Sequence, residues 1–79
     1  MNMKNSNSLS RKSHLLGTKI RGLRKRNNLT MEDLSARCIR VNAELAPSVS
    51  YLSMIERGKR VPSSDMLGVI AAVFQKEVD

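Results

Sequence analysis

Residues 48–63 read SVSYLSMIERGKRVPS, and this stretch decides the fold that we expect. Ser48 is a typical N-cap, because its hydroxyl can accept a hydrogen bond from a free backbone N–H of the first turn. Leu52 and Ile55 are spaced to face one side of a helix. The stretch therefore predicts a short helix over about residues 48–57. Its outward face carries Val49, Ser50, Ser53 and Met54.

A basic turn follows this helix. Gly58 is a typical helix stop, since glycine adopts a positive φ at no steric cost. Three cations surround it, Arg57, Lys59 and Arg60. After Pro62 the pattern predicts a further helix, whose inward face combines Leu67, Ile70, Ala71 and Phe74.

A helix is also predicted upstream, beginning after Thr30 as its N-cap and with acidic residues in its first turn, where they favour the positive end of the helix dipole. Its apolar stripe is Leu34, Cys38 and Val41. The pattern breaks between Asn42 and Pro47, since proline disfavours helix for the preceding residue. Either this helix runs on to about residue 42, or residues 39–47 form a loop of their own.

The N-terminal region divides into an arm and a helix. Residues 1–12 are mostly Asn, Ser and basic side chains, so we expect a mobile basic arm before a folded domain of residues 13–79. Ser13 is a plausible N-cap for a first helix, which Asn27 and Asn28 end. Its apolar positions are Leu16, Ile20 and Leu23.

Length and composition favour a single all-α domain. A chain of 79 residues offers one hydrophobic core, and its apolar fraction of 41% contains only Tyr51 and Phe74 as aromatic residues. An enzyme with a deep pocket is not expected, and we assign no catalytic residue and no cofactor.

The charge is strongly positive and uneven. Fourteen Lys and Arg face seven Asp and Glu, a formal net charge of +7, and residues 1–31 contain no acid. Such a field favours a polyanion, either nucleic acid or an anionic membrane. The alternative is a solvated surface that only keeps the protein soluble.

Cys38 is the only cysteine and His14 the only histidine, which excludes an intramolecular disulfide and gives no metal site. The chain has no apolar run near the roughly 20 residues of a membrane span, and its polar start lacks the apolar stretch of a signal peptide. We expect a cytoplasmic protein.

From Leu16 to Phe74 the chain resembles the Cro/C1-type (XRE-like) helix-turn-helix regulators of phages and bacteria. The resemblance rests on Leu29-Thr30 at the start of the second helix and on Tyr51-Leu52-Ser53-Met54-Ile55-Glu56-Arg57-Gly58-Lys59-Arg60-Val61-Pro62-Ser63. It implies a compact lambda-repressor-like domain of four or five helices, with the helix-turn-helix formed by helices two and three. It also implies a DNA-binding transcription regulator, acting as a repressor and binding its operator as a homodimer.

The resemblance assigns roles by position. A helix about 12 Å across fits the major groove, where the outward side chains of the third helix would read bases. Phosphate contacts are expected from Thr30, Tyr51, Arg57, Lys59 and Arg60. The family's structural ion pair falls on Arg24 and Glu56.

Two positions depart from the family pattern. Met31 stands where the family usually has Gln, and the connection of residues 39–47 is longer than the usual two residues. In this longer connection Arg40 and Asn42 could supply extra DNA contacts. Since such regulators often have a fifth helix and a ligand-sensing domain, an effector domain beyond this chain is a further expectation.

Two other classes of function remain open from sequence alone. The first is a basic protein-interaction module, such as an antitoxin or adaptor, that would use Met66, Val69 and Val73 as a dimer or partner surface. The second is a membrane-surface protein, which would need aromatic residues that the first helix lacks.

Overall fold

The computed structural model describes the backbone of residues 3–78 and the side chains of residues 11–76, and over that range it contains four helices and no strand. The helices are α1 (Met3–Arg26), α2 (Met31–Val41), α3 (Val49–Glu56) and α4 (Ser64–Val78). The predicted all-α fold is confirmed, and α2 and α3 are the two helices expected to form the helix-turn-helix.

Both helices of this pair begin at the predicted caps. The Thr30 hydroxyl accepts a hydrogen bond from the Asp33 N–H at 3.0 Å, and the Asp33 carboxylate accepts one from the Thr30 N–H at 2.9 Å. This backbone hydrogen bond lowers the pKa of Asp33, since it favours the ionised carboxylate. At α3 the Ser48 hydroxyl accepts from the Tyr51 N–H at 3.1 Å. The capping side chains of Thr30 and Ser48 therefore correctly predicted where α2 and α3 begin.

The C-terminal ends of α1 and α3 share one geometry. Asn28 and Gly58 occupy the left-handed region, with φ of 58° and 74°. The next N–H in each case, of Leu29 and of Lys59, donates to a carbonyl five residues earlier, at 2.9 and 2.8 Å. This is the Schellman arrangement, in which the free carbonyls of the last turn are satisfied. The predicted ends at Asn27-Asn28 and at Gly58 are confirmed.

The predicted start of α1 at Ser13 is wrong, because the helix runs from Met3 through Ser13 to Arg26. Residues 3–12 contain neither Pro nor Gly, so a helix held by the core can propagate backward by one hydrogen bond per residue. Part of the expected arm, residues 3–12, is thus helical backbone, and residues 1–2 lie outside the described range. The division into a mobile arm and a folded domain stays a prediction.

The core lies between α2 and the two helices that pack against it, α3 and α4. Helix α1 packs against α3. Among the buried side chains of the core, Leu34, Cys38, Leu52 and Ile55 have no exposed area. They come from α2 and α3 only, so the two helices of the predicted pair are fixed against each other by their inward faces. α4 adds Val69, Ile70, Val73 and Phe74.

Four side chains differ from the predicted inward faces. Val41 is 38% exposed at the C-terminal end of α2. On α4 Ala71 is exposed, whereas Val69 and Val73 are buried. The expected partner surface around Val69 and Val73 is therefore wrong. These valines belong to the core because α2 packs against that side of α4.

At Gly17 helix α1 meets α3 main chain to main chain. A Cβ atom built there would collide with the Ile55 carbonyl oxygen and lie 2.8 Å from the Glu56 carbonyl oxygen. Only a glycine permits this approach. The position of α3 relative to α1 is thus set by backbone contact.

The long connection between α2 and α3 is ordered by its own hydrogen bonds. Asn42 caps α2, and its side-chain oxygen accepts from the N–H groups of Glu44 and Leu45 at 3.0 and 3.2 Å. The buried Ser35 hydroxyl donates to the Pro47 carbonyl at 2.8 Å. The helix thus continues to Val41, and residues 42–48 form a structured link that delivers the chain to the α3 cap.

Candidate nucleic-acid interface

The outward face of α3 lies on the surface of the protein. Ser50 is exposed, and Val49, Ser53 and Met54 are half-buried. The other face of the same helix is fully buried through Leu52 and Ile55. The four side chains expected to read bases therefore share a surface whose backing is rigid.

An ion pair ties α1 to the end of α3. Arg24 Nε donates to Glu56 Oε2 at 2.7 Å and Nη2 donates to Oε1 at 2.9 Å, so the contact is bidentate. Nη1 donates to the Leu29 carbonyl at 3.0 Å. Arg24 is 8% exposed and Glu56 6%. The hydrogen bond to Glu56 raises the pKa of Arg24, since it favours the charged guanidinium.

The basic turn after α3 lies beside the N-terminal half of α1. A Cβ at Gly58 would come within 3.1 Å of the His14 Cα, so the turn passes directly over α1 at that point. Arg57, Lys59 and Arg60 are all exposed. The cations predicted to bind phosphates are therefore accessible at the C-terminal end of α3.

Thr30 and Tyr51 sit at helix starts with part of their hydrogen-bonding capacity in use. The exposed Thr30 hydroxyl accepts from Asp33, which leaves its own proton to donate to an acceptor such as a phosphate oxygen. Tyr51 is half-buried against the core.

The two additional candidates, Arg40 and Asn42, lie in the last turn of α2 and at its C-cap. Arg40 lines a hollow between α2 and α4 together with Val41, Val73 and Lys76. The side-chain oxygen of Asn42 is occupied by the backbone of the connection. The structure does not bring Arg40 together with the residues expected to read bases.

Two further cations of α1, to which the sequence analysis assigns no role, stand beside α3. Arg21 and Lys25 line an open cleft of about 290 Å³ together with Arg24, Met31, Ser53, Glu56 and Arg57. Arg21 precedes Arg24 by three residues and therefore shares its helix face. Once Arg24 was assigned to pair with α3, that spacing could have placed Arg21 beside α3 as well.

Among the described residues there is little support for thiol chemistry, a metal site or a membrane-spanning helix. Burial raises the pKa of the Cys38 thiol to about 11, so the thiol stays protonated near neutral pH and is a poor nucleophile. In the described part of the chain no group of His, Cys, Asp and Glu is arranged to hold a metal ion. None of the described helices is long and apolar enough to cross a membrane.

Comparison with known proteins points to a helix-turn-helix domain. A family model described as helix-turn-helix matches residues 48–79, which contain the α3 cap, the outward face, the basic turn and α4. The match covers less than half of the chain. No curated protein and no solved structure matches the chain significantly. From the matched segment, the all-α fold and the capped helix pair, we conclude that residues 48–79 are similar to helix-turn-helix domains of the Cro/C1 type, the kind of DNA-binding domain that transcription regulators use.

Proposed function

We propose that this protein is a sequence-specific transcription regulator, acting as a repressor, that inserts α3 into the major groove of duplex DNA. One observation carries the proposal: α3 has a buried inner face, an accessible outer face that combines two serines with Val49 and Met54, and exposed cations at its C-terminal end. Repression follows most directly, because a domain seated in the groove excludes other proteins from the same site.

Base reading is assigned to the outer face of α3. Ser50 can donate to or accept from a base edge, and Met54 can lie against a thymine methyl group. Val49 and Ser53 are close enough to join them, since all four residues lie on one face of a single helix of eight residues. The burial of Leu52 and Ile55 supports this role, because a reading surface must be held rigidly to discriminate between bases.

Phosphate binding is assigned to the basic turn and to the helix starts. Lys59 and Arg60 extend beyond the end of α3, where the backbone at the groove edge would pass, and Arg57, Thr30 and Tyr51 complete the set. Such contacts fix the register of the protein on DNA and contribute affinity with no sequence information.

The first test is selection of bound sites from random duplexes, followed by titration of the selected duplex at several salt concentrations. Neutralised phosphates release counterions, so log K should fall linearly with log salt. Affinity that does not depend on salt, or no binding at low salt, would overturn the proposed function.

Two variants should then separate sequence preference from overall affinity. Ser50→Gln introduces an amide that can bind adenine bidentately, so preference should change at one or two base pairs by about 1–3 kcal/mol with the salt slope nearly unchanged. Lys59→Ala should weaken binding to all sequences alike and reduce the slope by about one phosphate. Lys76→Ala is the matched control, because Lys76 is an exposed cation on α4 next to the α2 hollow.

The assignment of base reading to α3 and of phosphate binding to the basic turn fails if Lys59→Ala shows the effect expected of Ser50→Gln. A change of base preference in Lys59→Ala together with none in Ser50→Gln would make α3 the wrong reading element. In that case the 42–48 connection would be the next segment to examine.

A further inference from the structure

We propose that Arg21 and Lys25 of α1 bind a second phosphate of the DNA backbone, on the strand opposite the one that the Lys59-Arg60 turn contacts. This inference rests on the proposed function. It adds a phosphate site on α1, which lies outside the matched residues 48–79.

The cleft is built by three elements at once. Arg21 and Lys25 come from α1, Met31 from the first residue of α2, and Ser53 from the outer face of α3. Because Ser53 belongs both to the cleft and to the reading face, the cleft opens directly beside that face. A strand bordering a groove that holds α3 would therefore pass over it.

The charge of the cleft is not balanced. Arg24 also lines it, but this guanidinium is held by both oxygens of Glu56, so the pair adds no net charge. Arg21, Lys25 and Arg57 are exposed, and Glu56 is the one acidic side chain that lines the cleft. Glu32 lies close enough to Arg24 to raise its pKa, so the three exposed cations still exceed that one nearby acid. Arg21 and Lys25 are also separated by four helix positions, a spacing at which like charges destabilise a helix. A bound phosphate would relieve this repulsion.

Arg57 is held over the cleft. Its Nε donates to the Ser53 carbonyl at 3.4 Å, a long hydrogen bond that folds the side chain back along α3. A guanidinium presents a planar fork of donors that matches phosphate oxygens, and lysine adds a mobile point charge. Arg21 and Lys25 supply these two kinds of donor to one phosphate group.

The position of the cleft along α1 matches the dimensions of DNA. The basic turn passes over His14, whereas the cleft lies at Arg21 to Lys25, seven to eleven residues further along the helix. At about 1.5 Å per residue, Arg21 and Lys25 lie roughly 10–16 Å along the α1 axis from the point where the basic turn crosses it. The major groove is about 12 Å wide. The cleft and the basic turn are therefore spaced to contact the two strands that border one groove.

The test compares Arg21→Gln and Lys25→Gln with Lys19→Gln on the selected duplex at 50 and 200 mM salt. Lys19 is the matched control, since it is an exposed cation of the same helix that lines the hollow toward α4. A fourfold rise in salt costs roughly 3.5-fold in affinity per phosphate contact. Arg21→Gln and Lys25→Gln should each lose part of that salt sensitivity, and Lys19→Gln should retain all of it.

The strand is identified with duplexes in which single phosphates are replaced by neutral methylphosphonates. Neutralising the phosphate that Arg21 contacts should weaken wild-type binding but should not weaken the binding of Arg21→Gln any further. Lys59→Ala should show the same insensitivity at a phosphate on the other strand. Thermal melting of each variant shows that the fold is kept.

Failure of this inference differs from failure of the proposed function. If wild type binds with a salt slope that Lys59→Ala reduces, while Arg21→Gln and Lys25→Gln match Lys19→Gln, the function stands and the α1 site is wrong. The inference also fails if the phosphate assigned to Arg21 and the phosphate assigned to Lys59 lie on the same strand. Absence of salt-dependent binding by wild type would overturn both.

Discussion

At the scale of single residues, the guanidinium of Arg24 joins three parts of the chain. It donates to Glu56 at the end of α3 and to the Leu29 carbonyl just before α2, and it belongs to α1. A buried pair of this kind contributes little net stability compared with apolar residues of the same volume, because both charges lose their hydration. What it provides is geometry, since a bidentate contact admits one arrangement of the helices.

Glu56→Ala should therefore destabilise the fold by about 3–5 kcal/mol, because the Arg24 charge is left buried without a partner. For a domain of this size, that corresponds to a fall in melting temperature of well over 10 °C by calorimetry or circular dichroism. Glu56→Gln keeps the shape and one acceptor and should lose less. If Glu56→Ala melts within a degree or two of wild type, the pair does not hold the helices together.

At the scale of elements, the connection of residues 42–48 depends on a hydrogen bond to α2. The Ser35 hydroxyl is buried and donates to the Pro47 carbonyl, one residue before the α3 cap. Ser35→Ala leaves that carbonyl buried without a donor and should cost about 1–3 kcal/mol. Denaturant unfolding measures this cost. Ser50→Ala is the control, as an exposed serine whose removal should change stability by less than about 0.5 kcal/mol; equal losses would show that the bond is unimportant.

Local signals in the sequence predicted more of these elements than long-range ones. The caps at Thr30 and Ser48 and the stops at Asn28 and Gly58 were predicted, because each acts within a few residues of itself. The prediction of the start of α1 was wrong. Residues 3–12 contain no Pro or Gly that would stop the helix, but the absence of such residues does not mark where a helix begins. The inward side of α4 and the cleft at Arg21 depend on which helices become neighbours in space, and periodicity does not determine that.

At the scale of the whole molecule, we expect one copy of this domain to contact too little DNA to specify a site. The eight residues of α3 extend about 12 Å, enough for only a few base pairs. We expect two copies on a two-fold symmetric operator, with their recognition helices about 34 Å apart in successive major grooves.

Sedimentation of the protein with its selected duplex should give two protein chains per duplex. Inserting five base pairs between the half-sites rotates one of them by half a turn to the opposite face, and binding should weaken sharply. A control insertion of ten base pairs restores the face and should weaken binding less. Full affinity in a one-to-one complex on a short asymmetric site would rule out the dimer.

The contact at Gly17 also bears on how a lineage of such proteins can diverge. Because the backbones of α1 and α3 meet there directly, the placement of α3 does not depend on the side chains that point away from it. After gene duplication, one copy could exchange Val49, Ser50, Ser53 or Met54 and acquire a new operator while its helix stays in place. Gly17 has no such freedom, since any side chain there would displace α3 and alter the reading of every site at once.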